Sequence, residues 1–477
     1  PMNTSPSQDD QYPSATVAWT TVGLLSLTYM FSFIDLQILI LLIEPIKADL
    51  HITDTQISLL TGLAFGVVYA VAAIPLASLA DTGVRKYVVI ASVSVWSVMT
   101  LLCGFARNFS QLFLLRMGVG IGEAGLLPSA TSMIADLFPP RRLARATSLF
   151  MLSGGTVGAA LALLFGGMVI GLVEELGTVS QPIFGEISAW KMVLIVVGAA
   201  SLLMVIPLAM IREPARRGAA KAQLSSHQQS RAEPSSLKDV LSYMWDRKVF
   251  YGPFIAAACA ASMTAFGIGT WLPSYFIRVH EWTAASVGVT LGSLILVPGV
   301  VGGLLGGILA DHFYGKGHRA ASLSIMQVVL ALLALATPLF IYSPLIQIKL
   351  TIIAFYVFIG ASWPGLVIVA LQMTTPNPIR ARVTAIYLLL VGLIGPGLGP
   401  TVVALITDYI FHDPMAVGES IALIGLLGYG FAAVTLFAVI KPFKQQMADV
   451  MESESSGLNV PINTPPTSSI AAECPTP

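Results

Sequence analysis

The chain has 477 residues, of which 55% are hydrophobic and only 10% are charged. Soluble domains carry about 25% charged residues, so this composition excludes an ordinary soluble enzyme. Lys and Arg balance Asp and Glu at 25 each, which excludes the basic excess typical of a nucleic-acid-binding protein. The composition therefore indicates a membrane protein with no nucleic-acid partner.

Twelve long apolar runs follow one another along the chain. A bilayer core about 30 Å thick requires about 20 apolar residues per helix, and each run is long enough to cross it. The runs lie near residues 17–43, 56–80, 87–106, 111–136, 146–172, 189–211, 249–277, 285–311, 321–342, 346–372, 383–408 and 419–440. Because an open sheet cannot satisfy its backbone in lipid, we expect helices rather than strands to cross, in an all-α integral membrane fold.

Polar segments divide the chain into two halves of six helices. The predicted parts are an N-terminal tail at 1–14, a six-helix bundle at 15–211, a linker at 212–247, a second bundle at 248–441 and a disordered tail at 442–477. The end of the linker, residues 237–245, is predicted to form a short interfacial helix.

Lys and Arg concentrate in the loops of one side of the predicted bundle. Arg85 and Lys86 follow the second run, Arg142 and Arg145 follow the fourth, and further basic residues fill the linker. Basic loops stay in the cytoplasm. We therefore expect both termini to be cytoplasmic.

The two halves repeat each other in sequence. Residues 139–147 match residues 376–384, with an Arg and a Thr at equivalent places, and residues 79–81 are echoed at 309–311. Two related halves are typical of secondary transporters, whose substrate site lies near the midplane between the repeats.

These motifs resemble those of the major facilitator superfamily. Residues 81–86, Asp-Thr-Gly-Val-Arg-Lys, are similar to its motif between the second and third helices. Residues 33–35, 44–50 and 116–124 resemble a bacterial Spinster homologue, although Leu36 stands where that family usually carries Arg. The resemblance implies two pseudo-symmetric six-helix bundles and proton-coupled movement of lysophospholipids or sphingosine-phosphate-like amphiphiles. The chain also resembles the anion–cation symporter branch of the superfamily, and this rival resemblance implies transport of small organic anions.

Three ionisable residues lie deep in the predicted spans: Asp35, Arg116 and Glu123. Arg116 and Glu123 are seven residues apart, which places them on one helix face about 10 Å apart. The superfamily resemblance implies that the first and fourth helices are neighbours. Two acids would then share one arginine, and one of them is predicted to carry the transported proton. A structural ion pair between the two helices is the alternative.

A second group of charged residues lies at the predicted cytoplasmic helix ends. The resemblance implies that Asp81, with Arg85 and Lys86, faces the start of the eleventh helix and closes the inside, and ordinary positive-inside topology is the alternative. The predicted gating residues are Asp81, Arg85, Lys86, Arg142, Arg145, Asp311 and Arg382.

The C-terminal half has no ionisable residue at a helix midpoint, so its cavity wall is predicted to be apolar and aromatic. The predicted wall residues are Phe266, Trp271, Tyr275, Tyr356, Trp363 and Tyr387. Plain packing or an interfacial belt is the alternative for each of them.

These features predict a secondary active transporter that acts as a monomer, with protons as its coupling ion and with no metal or cofactor. The sequence contains no G-x-x-x-x-G-K-[ST] phosphate loop and no H-E-x-x-H or G-x-S-x-G motif, which disfavours an ATP-driven pump or an enzyme. Transport of drugs or small organic anions remains an alternative, as does a lipid receptor that does not transport.

Overall fold

The computed structural model describes residues 12–176, 179–181, 185–216 and 237–455. Within these residues, twelve helices are long and apolar enough to cross a membrane, as predicted. The first six are α1 Ala15–Leu41, α2 Asp54–Thr61 and Leu63–Thr82, α3 Arg85–Cys103, α4 Phe109–Glu123 and Leu126–Leu137, α5 Pro140–Gly154 and Thr156–Leu176, and α6 Ala189–Leu203 and Val205–Met210. The second six are α7 Lys248–His280, α8 Ala284–Gly315, α9 Ala321–Tyr342, α10 Ile346–Gly360 and Trp363–Thr374, α11 Asn377–Leu405 with a π-helical end Ile406–Phe411, and α12 Pro414–Ala416, Val417–Ile424, Gly425–Tyr429 and Gly430–Ser455.

Short elements connect some of the spans. A helix at Ile43–Leu50 follows α1, and a helix at Leu237–Asp246 precedes α7 where the sequence predicts one. Strands β1 Val179–Gln181 and β2 Gly185–Ile187 pair antiparallel between α5 and α6. The sequence argument against strands concerned the lipid core, and this hairpin lies outside the spans. The rest of the predicted linker, residues 217–236, and the tails 1–11 and 456–477 lie outside the described residues.

The last helix is longer than the sequence prediction. Residues 442–455, assigned to a disordered tail, continue α12 as a helix to Ser455. Phe443, Met447 and Val450 are buried, and the Gln446 amide donates a hydrogen bond of 2.8 Å to the Tyr243 hydroxyl. These positions share one helix face, so packing against the helix before α7 extends α12 beyond the apolar run.

Helices α1–α6 form the N-terminal bundle and α7–α12 the C-terminal bundle. The repeated segments occupy equivalent places, because residues 139–147 begin α5 and residues 376–384 begin α11. We call the side where α1 begins the termini side and the other side the opposite side. On the opposite side, Thr53, Asn108 and Thr283 cap the N-termini of α2, α4 and α8, which fixes where each span starts.

The bundles meet along α2 with α11 and α5 with α8, in the half of the molecule nearer the opposite side. A Cβ added to Gly62 of α2 would lie 2.8 Å from the Gly397 carbonyl oxygen of α11. A Cβ on Gly167 of α5 would lie 2.6 Å from the Ala285 carbonyl oxygen of α8. Small residues allow such close approach of helix backbones. The interface between the bundles is therefore tight at this level.

Candidate functional site

An ion pair lies inside the N-terminal bundle. Asp35 of α1 is fully buried and Arg116 of α4 is 1% exposed. Their Oδ1 and Nη1 atoms are 3.5 Å apart, and the Thr100 hydroxyl of α3 donates a hydrogen bond to Asp35 Oδ2. Three helices therefore converge on one carboxylate.

Glu123 of α4 lies between the same two helices, nearer the termini side. The Ser32 hydroxyl of α1 donates a hydrogen bond of 2.7 Å to Glu123 Oε2. Ser32 and Asp35 are three residues apart on α1, and Arg116 and Glu123 are seven apart on α4, so each helix presents its pair on one face. The predicted grouping of Asp35, Arg116 and Glu123 is thus present in the structure, with Arg116 paired to Asp35 and Glu123 held by Ser32.

The site contains polar atoms that lack a hydrogen-bond partner among the described residues. They are Oε1 of Glu123, Nε and Nη2 of Arg116, and Oδ1 of Asp35, whose contact with Arg116 is ionic only. The Arg116 guanidinium also lies 5.8 Å from the centre of the Phe65 ring. Unsatisfied buried polar groups cost about 1–3 kcal/mol each. The cluster therefore carries an energetic cost that its contacts among the described residues do not offset.

Glycines bring α4 close to its neighbours at this level. A Cβ on Gly120 would lie 2.8 Å from the Phe65 carbonyl oxygen of α2, and one on Gly122 would lie 2.5 Å from the Trp96 nitrogen of α3. The helix is then interrupted directly after Glu123. The G-x-G-x-x-G pattern of residues 120–125 thus serves close helix packing that positions Glu123.

The predicted gate residues of the α2–α3 connection contact their own bundle. Arg85 is 2.5 Å from Asp136 and 2.9 Å from Glu213, and the Lys86 Nζ donates to a main-chain carbonyl of α6 at 2.6 Å. Asp81 is exposed, and the main-chain carbonyls beside it accept hydrogen bonds from Arg216. The predicted approach of Asp81 to the start of α11, which would close the inside, stays a prediction.

The remaining predicted gate residues lie near the termini side. Arg142, Arg145 and Asp311 are exposed, and Arg382 is half-buried. Their role in closing that side stays a prediction.

Most residues of the predicted aromatic wall lie inside the C-terminal bundle in this conformation. Trp271, Trp363 and Tyr387 are buried, and the Trp271 indole N–H donates to the Pro400 carbonyl at 2.8 Å. The Tyr275 hydroxyl donates to the Ile341 carbonyl, and the Tyr356 and Tyr429 hydroxyls are 2.7 Å apart. Of the six, only Phe266 is substantially exposed, at 45%. Trp271, Tyr275, Trp363 and Tyr387 are buried in the bundle and do not face an open cavity in this conformation. Tyr356 is half-buried, and its place in the wall stays a prediction.

Sequence reasoning missed a charged contact between the bundles on the opposite side. Arg278 at the end of α7 is 2.9 Å from Glu44 and 2.7 Å from Asp54, and Lys47 also pairs with Asp54. Beside it, the Thr55 hydroxyl donates to Asp408 of α11 at 2.6 Å. These residues are distant in sequence and carry no motif that pairs them. We call Glu44, Asp54 and Arg278 the opposite-side lock.

A further carboxylate of this side stabilises the N-terminal bundle alone. Asp49 lies 2.8 Å from Lys191, and the Trp190 indole N–H donates to it at 3.0 Å. Although burial by itself raises the pKa of Asp49, these partners hold it below its usual value. The contact therefore stabilises the fold at neutral pH and is lost as acid protonates the carboxyl.

Twelve spans in two related bundles, with ionisable residues buried inside one of them, define a polytopic transporter. The sequence profile described as Major Facilitator Superfamily matches residues 25–400, so the chain belongs to that superfamily. It is an integral multi-pass membrane transporter and not an enzyme.

Three relatives place the chain within the superfamily. An MFS-type efflux pump of Mycolicibacterium smegmatis is 29% identical over 85% of this chain and 89% of the pump. A probable galactarate/D-glucarate transporter of Bacillus subtilis is 26% identical over 63% of this chain and 66% of the transporter. A crystal structure of a bacterial homologue of the human lysosomal transporter Spinster, inward-facing and occupied, matches with a TM-score of 0.70 and 25% identity, over 93% of this chain and 96% of that one. The Spinster-like resemblance is thereby confirmed.

Proposed function

We propose that this chain moves an amphiphilic lipid, lysophospholipid-like or sphingosine-phosphate-like, by alternating access, and that protons drive it through Asp35, Arg116 and Glu123. The observation that carries the proposal is the burial of two carboxylates with one guanidinium between α1 and α4. Charges within a membrane span are costly and mark ion or proton pathways by default.

The charge balance of the cluster defines the coupling step. With Glu123 protonated, Arg116 neutralises Asp35 and the site carries no net charge. Loss of that proton leaves one uncompensated buried carboxylate, which burial disfavours. Glu123 Oε1, which has no hydrogen-bond partner among the described residues, is the atom that takes and releases the proton. Release of the proton favours a conformation in which the Glu123 carboxylate is hydrated or pairs with a positive charge.

The orientation follows from the basic loops. The termini side carries Arg142 and Arg145 as well as Lys441 and Lys444, and positive loops stay in the cytoplasm. In a bacterial inner membrane, the opposite-side lock then closes the outer face. Rocking of the bundles about their interface opens the outside when this lock breaks, and the chain works as a monomer with protons and no other cofactor.

The amphiphilic substrate is supported by the contrast between the bundles and by the relatives. The N-terminal bundle supplies the charged cluster for a polar head, while the exposed Phe266 belongs to an apolar C-terminal bundle. A Spinster homologue and an efflux pump are among the similar proteins.

A small organic anion is the second candidate. Arg116 retains two buried nitrogen atoms, Nε and Nη2, without a partner among the described residues, and a guanidinium binds carboxylates in a bidentate manner. A sugar-acid transporter is among the similar proteins. A substrate anion bound to Arg116 would then take the place of Asp35 as the partner of the guanidinium.

The test is flux into proteoliposomes with and without an imposed proton gradient. A labelled lysophospholipid and labelled glucarate are offered to the wild type, to Glu123→Gln and to the control Glu175→Gln, whose side chain is exposed at the end of α5. We expect gradient-driven lipid flux that only Glu123→Gln abolishes. Flux of glucarate alone would overturn the lipid assignment, and equal loss in both variants would overturn the coupling role of Glu123. Lipid binding without flux would make the chain a receptor.

A further inference from the structure

A groove of about 890 Å³ opens on the surface of the C-terminal bundle, away from the α1–α4 cluster. It lies at the termini side between α8, α9, α10 and α12. Its volume is in the range of small-molecule sites. Leu309, Val328 and Leu332 line its apolar part and are 40–58% exposed.

The groove is basic at one end and apolar along its length. His318, Arg319 and Lys444 line the end nearest the α8–α9 loop, and all three are exposed. Neither Arg319 nor Lys444 has a carboxylate within ion-pair distance among the described residues. Asp311 of α8 is exposed but is not among the lining residues. Within the described part of the chain, the basic end therefore presents positive charge that no carboxylate pairs with.

The apolar part has the length of one membrane leaflet. From the start of α9 at Ala321 to Leu332 the helix rises by about 17 Å, which is about half of a hydrocarbon core about 30 Å thick. The basic end lies where α9 begins, at the border of the apolar span. The groove thus places basic side chains at the level of the lipid headgroups and apolar side chains at the level of the acyl chains.

We propose that this groove is a site for an anionic phospholipid of the surrounding bilayer. The headgroup phosphate accepts hydrogen bonds from Arg319 and Lys444, and one acyl chain lies along Val328 and Leu332. Basic pockets at the membrane border select anionic headgroups, because Lys and Arg near that surface each favour an anionic lipid. The site is independent of the proposed transport function, since it lies on the other bundle and holds a resident lipid.

Native mass spectrometry of the purified transporter tests the site. The protein is equilibrated with phosphatidylglycerol or phosphatidylcholine in detergent, and retained lipid is measured for the wild type, for Arg319→Gln/Lys444→Gln and for the control Lys316→Gln/Lys441→Gln. The control removes the same charge from exposed residues of the same side that do not line the groove. We expect the wild type to prefer phosphatidylglycerol and the first double variant to lose about 25-fold in that preference, about fivefold per basic side chain.

Val328→Trp supplies a test that leaves the charge unchanged. The indole fills the apolar part, so retention of phosphatidylglycerol should fall although Arg319 and Lys444 remain. Three results would overturn the proposal: equal losses in the control variant, equal retention of the two lipids by the wild type, or full displacement of the lipid by inorganic phosphate, which would indicate a free-anion site. Conversion of a dimer to a monomer by Val328→Trp would instead assign the groove to a second copy of the chain.

Discussion

The two bundles share an architecture but treat buried polar groups differently. In the N-terminal bundle, Asp35, Arg116 and Glu123 are buried with several atoms unpartnered among the described residues. In the C-terminal bundle, the Tyr356 and Tyr429 hydroxyls satisfy each other, and the buried Lys349 donates to the Ile341 carbonyl at 2.8 Å. One half therefore buries two carboxylates beside one arginine, while these groups of the other half are hydrogen-bonded.

This difference indicates how a duplicated fold divides its tasks. A buried ion stabilises poorly unless it is fully paired, so the cluster of Asp35, Arg116 and Glu123 contributes little to stability. Hydrogen-bonded aromatic residues instead make a firm packing surface. In the proposed mechanism the charged half changes its protonation state and moves against the aromatic half.

Removal of Arg116 should give the largest effect, because it leaves the Asp35 charge buried and unpaired. We expect Arg116→Met to lower the free energy of unfolding by about 3–5 kcal/mol, measured by thermal unfolding in detergent. Adding Asp35→Asn should restore most of the loss, since the pair becomes neutral, whereas gradient-driven flux should stay absent. A double variant no more stable than Arg116→Met would show that the two charges are not coupled.

The contact between the bundles can be broken at the opposite-side lock. Arg278→Gln leaves Glu44 and Asp54 without their guanidinium, and loss of one partner of a buried charge pair costs about 2–5 kcal/mol. Because the contact joins the bundles, we expect the opposite side to open. Labelling of a Ser58→Cys probe by a membrane-impermeant thiol reagent should therefore accelerate at least about tenfold.

The matched control for this experiment is Arg107→Gln. Arg107 is exposed in the α3–α4 connection of the same side, within one bundle. A Cys474→Ser background removes the tail thiol, while Cys103 and Cys259 are buried. Equal acceleration in both arginine variants would mean that the labelling reports surface charge and not the lock.

The close approach of α2 and α11 can be disturbed by a methyl group added to α2 but not by one added to α11, and the expected effect is smaller. A Cβ on Gly62 meets two main-chain oxygens at 2.8 Å, whereas a Cβ on Gly397 meets nothing within 4 Å. We expect Gly62→Ala to destabilise by about 1–3 kcal/mol and to accelerate Ser58→Cys labelling. Gly397→Ala should be neutral or stabilise by up to about 1 kcal/mol. Similar behaviour of the two variants would contradict the close approach.

The smallest effect is expected in the C-terminal bundle. Tyr356→Phe removes the hydrogen bond to Tyr429 and should cost about 0.5–1.5 kcal/mol of unfolding free energy, with gradient-driven flux unchanged. Tyr342→Phe, at an exposed position of α9, controls for loss of a hydroxyl alone. Loss of flux in Tyr356→Phe would show that this bundle also carries part of the coupling chemistry.

The sequence predicted the residues of the charged cluster more completely than it predicted the residues of the cavity wall. Asp35, Arg116 and Glu123 stand out because charges are rare in apolar spans, and helix periodicity places Arg116 and Glu123 on one face. Their hydrogen-bond partners Ser32 and Thr100 carry no such signal, since a hydroxyl in a membrane helix usually bonds to its own backbone, as Thr28 does. The aromatic residues were misplaced because a side chain of α7 or α11 can face either its own bundle or the cavity.

By itself the sequence determined the twelve spans, their division into two repeats and the three ionisable residues inside them. These properties are local, because the cost of leaving apolar runs in water or charges in lipid depends on composition along a short segment. The tertiary structure alone decided that Arg116 pairs with Asp35, that Arg85 contacts Asp136, that α12 continues to Ser455 and that Arg278 joins the bundles. Each of these contacts depends on the rotation and distance between helices far apart in the chain, and small residues such as Gly62 set those distances.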